Sequence, residues 1–492
     1  MVDFVDLPTE LLLRITSYIN SNADHRHLAL TCSNLLPIAR ECLYSSVVLN
    51  KVEAEDGDIP TFTLQFLRTV LQRPQLADLV KSLDITYAER YIDHENSDLE
   101  HRQCMCSHTI TRSMVRAFFA NKSTADSTWI LKANDAWEPA LVGIILVKLF
   151  ELRALKLSCV MDTMENFQDE DLYLPFRRHI NLKSLFGGST QACYRELNQN
   201  LRSLEHLQFL NTASWDFTIL TSVKHLTIRL TFSHIGFNIV TRPRVLLELH
   251  TATATNVSSL LLNCDLTMLS TNAPEGDVMA AYLRDLLSLL PCLRRLVIRL
   301  EELEDLHIDN ETRALEGDGY FTFGPSNYNM LIQDLLPARE RIETLIIDDA
   351  PVMSLWEERE KRWNREGANI FEYLKRAQPV NSFCGFTKLR RLVVPRQAIF
   401  KYNKPEGMDG KTTLQLSLAS LKTLEITSTN LNTLACLRDS IPTVKSSDLP
   451  ELEEIILHDG VPFDPDVDTS ALLSVGVSLK QGRVYGDYTP LD

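Results

Sequence analysis

The chain has 492 residues, of which 45% are hydrophobic, 23% charged and 8% aromatic, a composition that excludes wholesale disorder and a low-complexity or collagen-like fibre. Its net charge is −15, from 50 Lys and Arg against 65 Asp and Glu. Such an acidic surface repels phosphate backbones and argues against nucleic-acid binding and polybasic membrane attachment.

The first residues, Met1 to Asp6, carry two acids and no base, unlike a secretory or mitochondrial leader. From Leu7 to Ile19 the pattern is helical. Pro8 suits the first helical position, Glu10 complements the N-terminal dipole, and Leu11, Leu12, Ile15 and Ile19 recur at helical spacing. Residues 20–24 are a polar break. A second apolar pattern runs from His27 to Leu36, where Pro37 is expected to end or kink it. His25 and His27 read as surface residues beside that helix. Ile38 to Leu43 suits one more short helix, and Tyr44 to Leu49 a short β-branched strand. Three helices in about forty residues bury too little apolar surface to be stable alone. This segment therefore needs a partner, either the rest of the chain or another protein.

Further on, the pattern apolar-x-x-apolar-x-apolar recurs ten times. It appears at Val80/Leu83/Ile85, Leu152/Leu155/Leu157, Leu204/Leu207/Phe209, Val223/Leu226/Ile228 and Val257/Leu260/Leu262. It returns at Leu293/Leu296/Ile298, Ile342/Leu345/Ile347, Leu389/Leu392/Val394, Leu421/Leu424/Ile426 and Leu452/Ile455/Leu457, with a partial copy at Leu182/Leu185. The last two positions of each copy alternate, as a half-buried strand requires. Helical patterns lie between copies, for example Trp137 to Phe150 and Asp277 to Leu290. One strand and one helix per unit is the logic of a leucine-rich repeat, in which neighbouring units supply each other's core. A doubly wound enzyme would instead show longer buried strands and a Gly-rich turn after the first. Successive central positions stand 19 to 72 residues apart, against about 20–29 in regular repeats. The expected fold is α/β: an irregular horseshoe, parallel strands on one face and helices on the other, with insertions at Glu301–Asn329, Pro395–Thr412 and Ser440–Pro450. The charged stretch Trp356 to Arg376 reads as a solvated helix with a few core anchors.

The most apolar window, Leu141 to Leu157, is interrupted by Lys148, Glu151, Arg153 and Lys156 and reads as a buried helix followed by a strand, not a membrane span. The ten cysteines are scattered, as reduced core residues of an intracellular chain would be. Cys104-x-Cys106-x-His108, with His94 and His101 nearby, lacks the second ligand pair of a structural zinc site and reads as a loop. No phosphate-binding loop, nucleophile elbow or zinc-protease motif occurs, and Gly187-Gly188 reads as a turn. No cofactor, metal or catalytic constellation is expected.

The run Leu7-Pro8-x-Glu10-Leu11 with Ile15 and Ile19, then Leu28 to Cys32 and Leu43-Tyr44, resembles the F-box, in the form common in fungal proteins. Residues Phe66 to Ile85 also resemble the segment that follows the F-box in that group. The resemblance implies an all-α F-box module over residues 1–49 and a degenerate leucine-rich-repeat domain over residues 50–492. It also implies a non-catalytic substrate receptor of an SCF-type ubiquitin ligase. Such a receptor docks on the Skp adaptor and, through it, on a cullin and a RING subunit. Its repeats hold a protein substrate in the cytoplasm or nucleus. Carried over from the motif, the adaptor-facing residues are Leu7, Pro8, Leu11, Ile15, Leu30 and Cys32, while Leu12, Ile19 and Leu28 serve the module's own packing. The alternative is a repeat scaffold that binds proteins without a ubiquitination role.

Overall fold

The computed structural model describes residues 7–19, 21–49, 61–88, 112–120, 126–160, 182–188, 190–210, 221–230, 256–265, 283–301, 327–348, 378–383, 385–402, 412–414, 416–427, 431–458 and 469–482. The chain forms two compact units, Met1–Lys224 and His225–Asp492.

The first unit opens with three helices: α1 (Thr9–Thr16), α2 (Asn22–Thr31) and α3 (Leu36–Ser45). Pro8 is the N-cap of α1, and its carbonyl accepts the Leu11 and Leu12 N–H groups at 3.0 and 3.1 Å. Ser21 caps α2 by accepting the Asp24 N–H. Pro37 starts α3 instead of ending α2, because the second helix stops earlier, at Thr31. A proline in the first turn loses no helical hydrogen bond there. The helices lead into β1 (Ser46–Leu49), followed by β2 (Ser82–Ala88), β3 (Ala154–Val160) and β4 (His206–Leu210). These strands lie side by side in chain order, and β1, β2, β3 and β4 pair parallel. Register aligns Leu83, Leu155 and Leu207 in one column and Ile85, Leu157 and Phe209 in the next. The apolar window folds as the helix Glu138–Lys148 followed by β3.

The second unit repeats the arrangement with β5 (His225–Leu230), β6 (Ser259–Asp265), β7 (Arg295–Glu301), β8 (Thr344–Asp348) and β9 (Arg391–Pro395). A short antiparallel hairpin, β10 (Phe400–Tyr402) with β11 (Thr412–Leu414), stands outside that sheet. The sheet then continues through β12 (Thr423–Thr427), β13 (Glu454–Leu457) and β14 (Ser478–Gln481), all parallel. One column runs Leu226, Leu260, Leu296, Leu345, Leu392, Leu424, Ile455, Leu479.

Seven of the strands, β2, β3, β4, β7, β9, β12 and β13, are entered through the same turn. The N–H of the first repeat residue donates to the carbonyl three residues back: Val80 to Ala77, Leu152 to Leu149, Leu204 to Leu201, Leu293 to Leu290, Leu389 to Phe386, Leu421 to Leu418 and Leu452 to Leu449. Those acceptor residues are all buried. The repeating unit therefore has a leading apolar position three residues earlier than the pattern read from the sequence.

Besides the place of Pro37, three expectations are corrected. Leu182 and Leu185 belong to a 3-10 helix, Leu182–Phe186, and not to a strand. The third apolar position of the pattern is Gly187 there, which turns the chain with φ +68°. Part of the Ser440–Pro450 insertion is the last turn of a helix, Leu431–Val444, which runs through Pro442 because Leu437 and Ile441 bury on one side of it. His25 is buried, not a surface residue, for the reason given below. The zinc-like cluster at residues 94–108, most of Glu301–Asn329 and the stretch Trp356 to Arg376 lie outside the described residues.

Candidate functional site

In the N-terminal helices, α1 divides its residues between two faces. Leu12 and Thr16 are buried, and Leu12 forms the module's core with Leu35 and Ile38 of the following segment. Leu7, Leu13, Leu28 and Cys32 pack around that core while remaining partly exposed. A polar knot ties the three helices together. The Thr16 hydroxyl lies 2.9 Å from the Leu12 carbonyl and 3.2 Å from the Cys42 Sγ of α3. His25 of α2 lies with Nε2 3.2 Å from the Thr16 carbonyl. The last carbonyls of a helix lack α-helical donors, and the Thr16 carbonyl takes the Ile19 N–H at 3.0 Å together with the imidazole. That bond draws His25 inward.

The neighbouring face of α1 is exposed. Leu11 is 48% exposed, Ile15 42% and Tyr18 75%, and Leu30 of α2 is 84% exposed. Pro8 is exposed at the start of the helix. Of the six residues carried over from the motif, four (Pro8, Leu11, Ile15 and Leu30) face solvent. The other two, Leu7 and Cys32, are shared with the module's core. Leu12 is buried, and Ile19 and Leu28 are partly buried. Single exposed apolar residues need no explanation, but a group of them on a small module is a candidate interaction surface. Each buried leucine-sized side chain is worth about 1.5–3 kcal/mol, so a partner covering this face has several kcal/mol to gain.

A second constellation occupies the strand face of the second unit opposite the leucine columns. Register places Leu261, Val297, Ile346, Val393 and Glu425 in one row across β6, β7, β8, β9 and β12. Val297, Ile346 and Val393 form a buried apolar cluster with Leu261 against it. Ion pairs flank the cluster. Arg299 Nε donates to Asp348 Oδ2 at 3.0 Å, and Arg391 Nε donates to Glu425 Oε1 at 2.6 Å. The other Glu425 oxygen meets His458 Nε2 at 2.9 Å. Burial pushes the Glu425 carboxyl up, but the hydrogen bonds and charges of His458 and Arg391 outweigh it and hold the group below its ordinary value. Buried ion pairs of this kind need such paired partners. Sequence reasoning did not single out Glu425 and His458. They lie 33 residues apart, and only the strand register brings them together.

In the first unit the equivalent face is polar, with Lys156 Nζ 2.8 Å from Asp84 Oδ2. Among the described residues no group of three or more His, Cys, Asp or Glu is placed to hold a metal ion. A surface cleft of about 590 Å³ between Arg284, Met330, Asp334 and Arg339 contains one ion pair, Arg284–Asp334 at 3.7 Å. Among the described residues no helix is long and apolar enough to cross a membrane.

Compared with protein-family models the chain matches none, and no curated protein matches it.

Proposed function

We propose that this chain is the substrate-recognition subunit of an SCF-type ubiquitin ligase. Helices α1–α3 serve as an F-box that docks on the Skp adaptor, and through it on the cullin and RING subunits. The parallel strands and their crossovers serve as an irregular leucine-rich-repeat horseshoe that holds a protein substrate, in the cytoplasm or nucleus. The observation that carries this reading is the uncovered row of Leu11 and Ile15 on a three-helix module whose interior is already filled. The in-register columns of the strands support the repeat half of it. The chain acts by proximity: holding a substrate lysine beside a charged conjugating enzyme raises its effective concentration without a catalytic group of its own.

The test is co-purification of the full-length chain with the Skp adaptor, comparing the native sequence with Leu11→Asp/Ile15→Asp. Both residues face solvent, so the substitution leaves the module's core in place. Leu7 is a poorer probe because it packs against that core. Loss of the adaptor with an unchanged circular-dichroism melt supports the reading, and undiminished binding refutes it. A bound partner that gains no ubiquitin in a reconstituted reaction identifies the chain as a binding scaffold.

A further inference from the structure

We infer that the cleft between Arg284 and Arg339 is a subsite for a peptide segment carrying one carboxylate side chain beside an apolar one; this rests on the substrate-holding reading of the repeats. Arg284 reaches the cleft from the segment before β7, and Met330, Asp334, Leu336, Pro337 and Arg339 reach it from the segment before β8. Its volume of about 590 Å³ is that of a small-ligand pocket, so it admits side chains and not a folded domain. Two guanidiniums against one carboxylate leave the cleft with one positive charge, in a chain of net charge −15. Asp334 stands 3.7 Å from Arg284. Among the described residues Arg339 has no such partner.

Arg339 is held ready for one. Gly385, at φ +96°, lies against its stem, and a Cβ there would fall 2.7 Å from Arg339 Cδ and 3.0 Å from Nε. Only glycine lets the backbone approach so closely. The side chain laid along that backbone has less freedom to lose on binding. Its planar fork offers paired N–H donors that match a carboxylate. A single carboxylate neutralises the cleft, whereas a phosphate monoester, with a charge of about −2, overshoots beside Asp334. Met330, Leu336 and Pro337 supply an apolar wall, which a charged group alone would leave wet. An aspartate or glutamate followed by a leucine-sized residue answers both parts of the cleft.

The test is a ligand-observed NMR titration of the full-length chain with short capped peptides in which glycines flank an aspartate–leucine pair. Peptides with asparagine–leucine, aspartate–serine and phosphoserine–leucine pairs, and free 4-methylpentanoate, are the comparisons. The chain is native, Arg339→Gln or Arg390→Gln. Arg339 is partly exposed, and Arg390 is exposed and outside the cleft. The aspartate–leucine peptide is expected to bind the native chain saturably, at least threefold more tightly than every comparison. Arg339→Gln should bind it no better than the native chain binds the asparagine peptide, with an unchanged melting temperature, and Arg390→Gln should bind as the native chain does. No saturation by about 10 mM, equal binding of the asparagine or serine peptide, or native-like binding by Arg339→Gln overturns the subsite. Tighter binding of the phosphoserine peptide overturns the carboxylate, and equal binding of 4-methylpentanoate overturns the peptide. The Leu11→Asp/Ile15→Asp chain should bind the aspartate–leucine peptide as the native chain does, so loss of this subsite and loss of the adaptor are read separately.

Discussion

Glu425 on β12 lies between Arg391 of β9, whose Nε donates to it at 2.6 Å, and His458, just beyond β13, whose Nε2 meets it at 2.9 Å. The carboxylate is almost wholly buried, so its charge is tolerated only while both partners stay. Removing one side of a buried pair is costly because it leaves the other uncompensated. Glu425→Gln is expected to cost about 3 kcal/mol at pH 7. The folded-state pKa is depressed, so this stabilisation is present above the ordinary carboxylate range and is lost as pH falls through the folded value. Denaturant titrations should show native and variant proteins converging as pH falls from the ordinary carboxylate range through the folded value.

His458 is held in place by a glycine. A Cβ on Gly482 would fall 2.2 Å from His458 Nδ1 and 2.5 Å from Cε1. Gly482→Ala must therefore push the imidazole off Glu425, at an expected cost of about 1–3 kcal/mol. If the loss travels through that pair, Gly482→Ala added to His458→Ala costs much less than the sum of the two. Urea denaturation of the three variants measures the coupling.

The helix Glu138–Lys148 offers a test of close packing. Gly143 presses against the 3-10 helix, and a Cβ there would stand 2.0 Å from the Leu185 carbonyl oxygen. Backbone cannot yield as a flexible side chain does. Gly143→Ala should destabilise the first unit by about 3 kcal/mol, although alanine is the better helix former. Thermal unfolding followed by circular dichroism reads the loss.

In the N-terminal module, His25 joins α2 to the end of α1 through the Thr16 carbonyl. His25→Ala removes that donor and leaves a cavity, with an expected loss of about 2 kcal/mol. Faster hydrogen exchange over residues 9–45, with β2–β4 unchanged, is the expected signature.

Much of the strand framework was legible before any coordinates, because apolar-x-x-apolar-x-apolar is both a frequency and a facing rule. Leu155 and Leu157 must share a side, and register then stacks them on Leu83 and Ile85. The leading positions, such as Leu149 and Leu449, were missed because they end helices or turns, where nothing alternates. β14 was missed because four residues with a single leucine carry too little pattern. For α1, spacing separates Leu11 and Ile15 from Leu12 and Thr16 but cannot say which face is covered. Leu35 and Ile38, more than twenty residues away, decide it. The Glu425 cluster was invisible for the same reason: single polar residues on β9 and β12 and just past β13 acquire meaning only from register.

The entry turns and leucine columns keep one register while the chain between successive column residues ranges from 24 residues (Ile455 to Leu479) to 72 (Leu83 to Leu155). Lengthening a flexible connection is cheap, about 0.6 kcal/mol per doubling. The scaffold can thus be re-equipped by splicing a different crossover between two turns, with neither flanking strand required to change its residues.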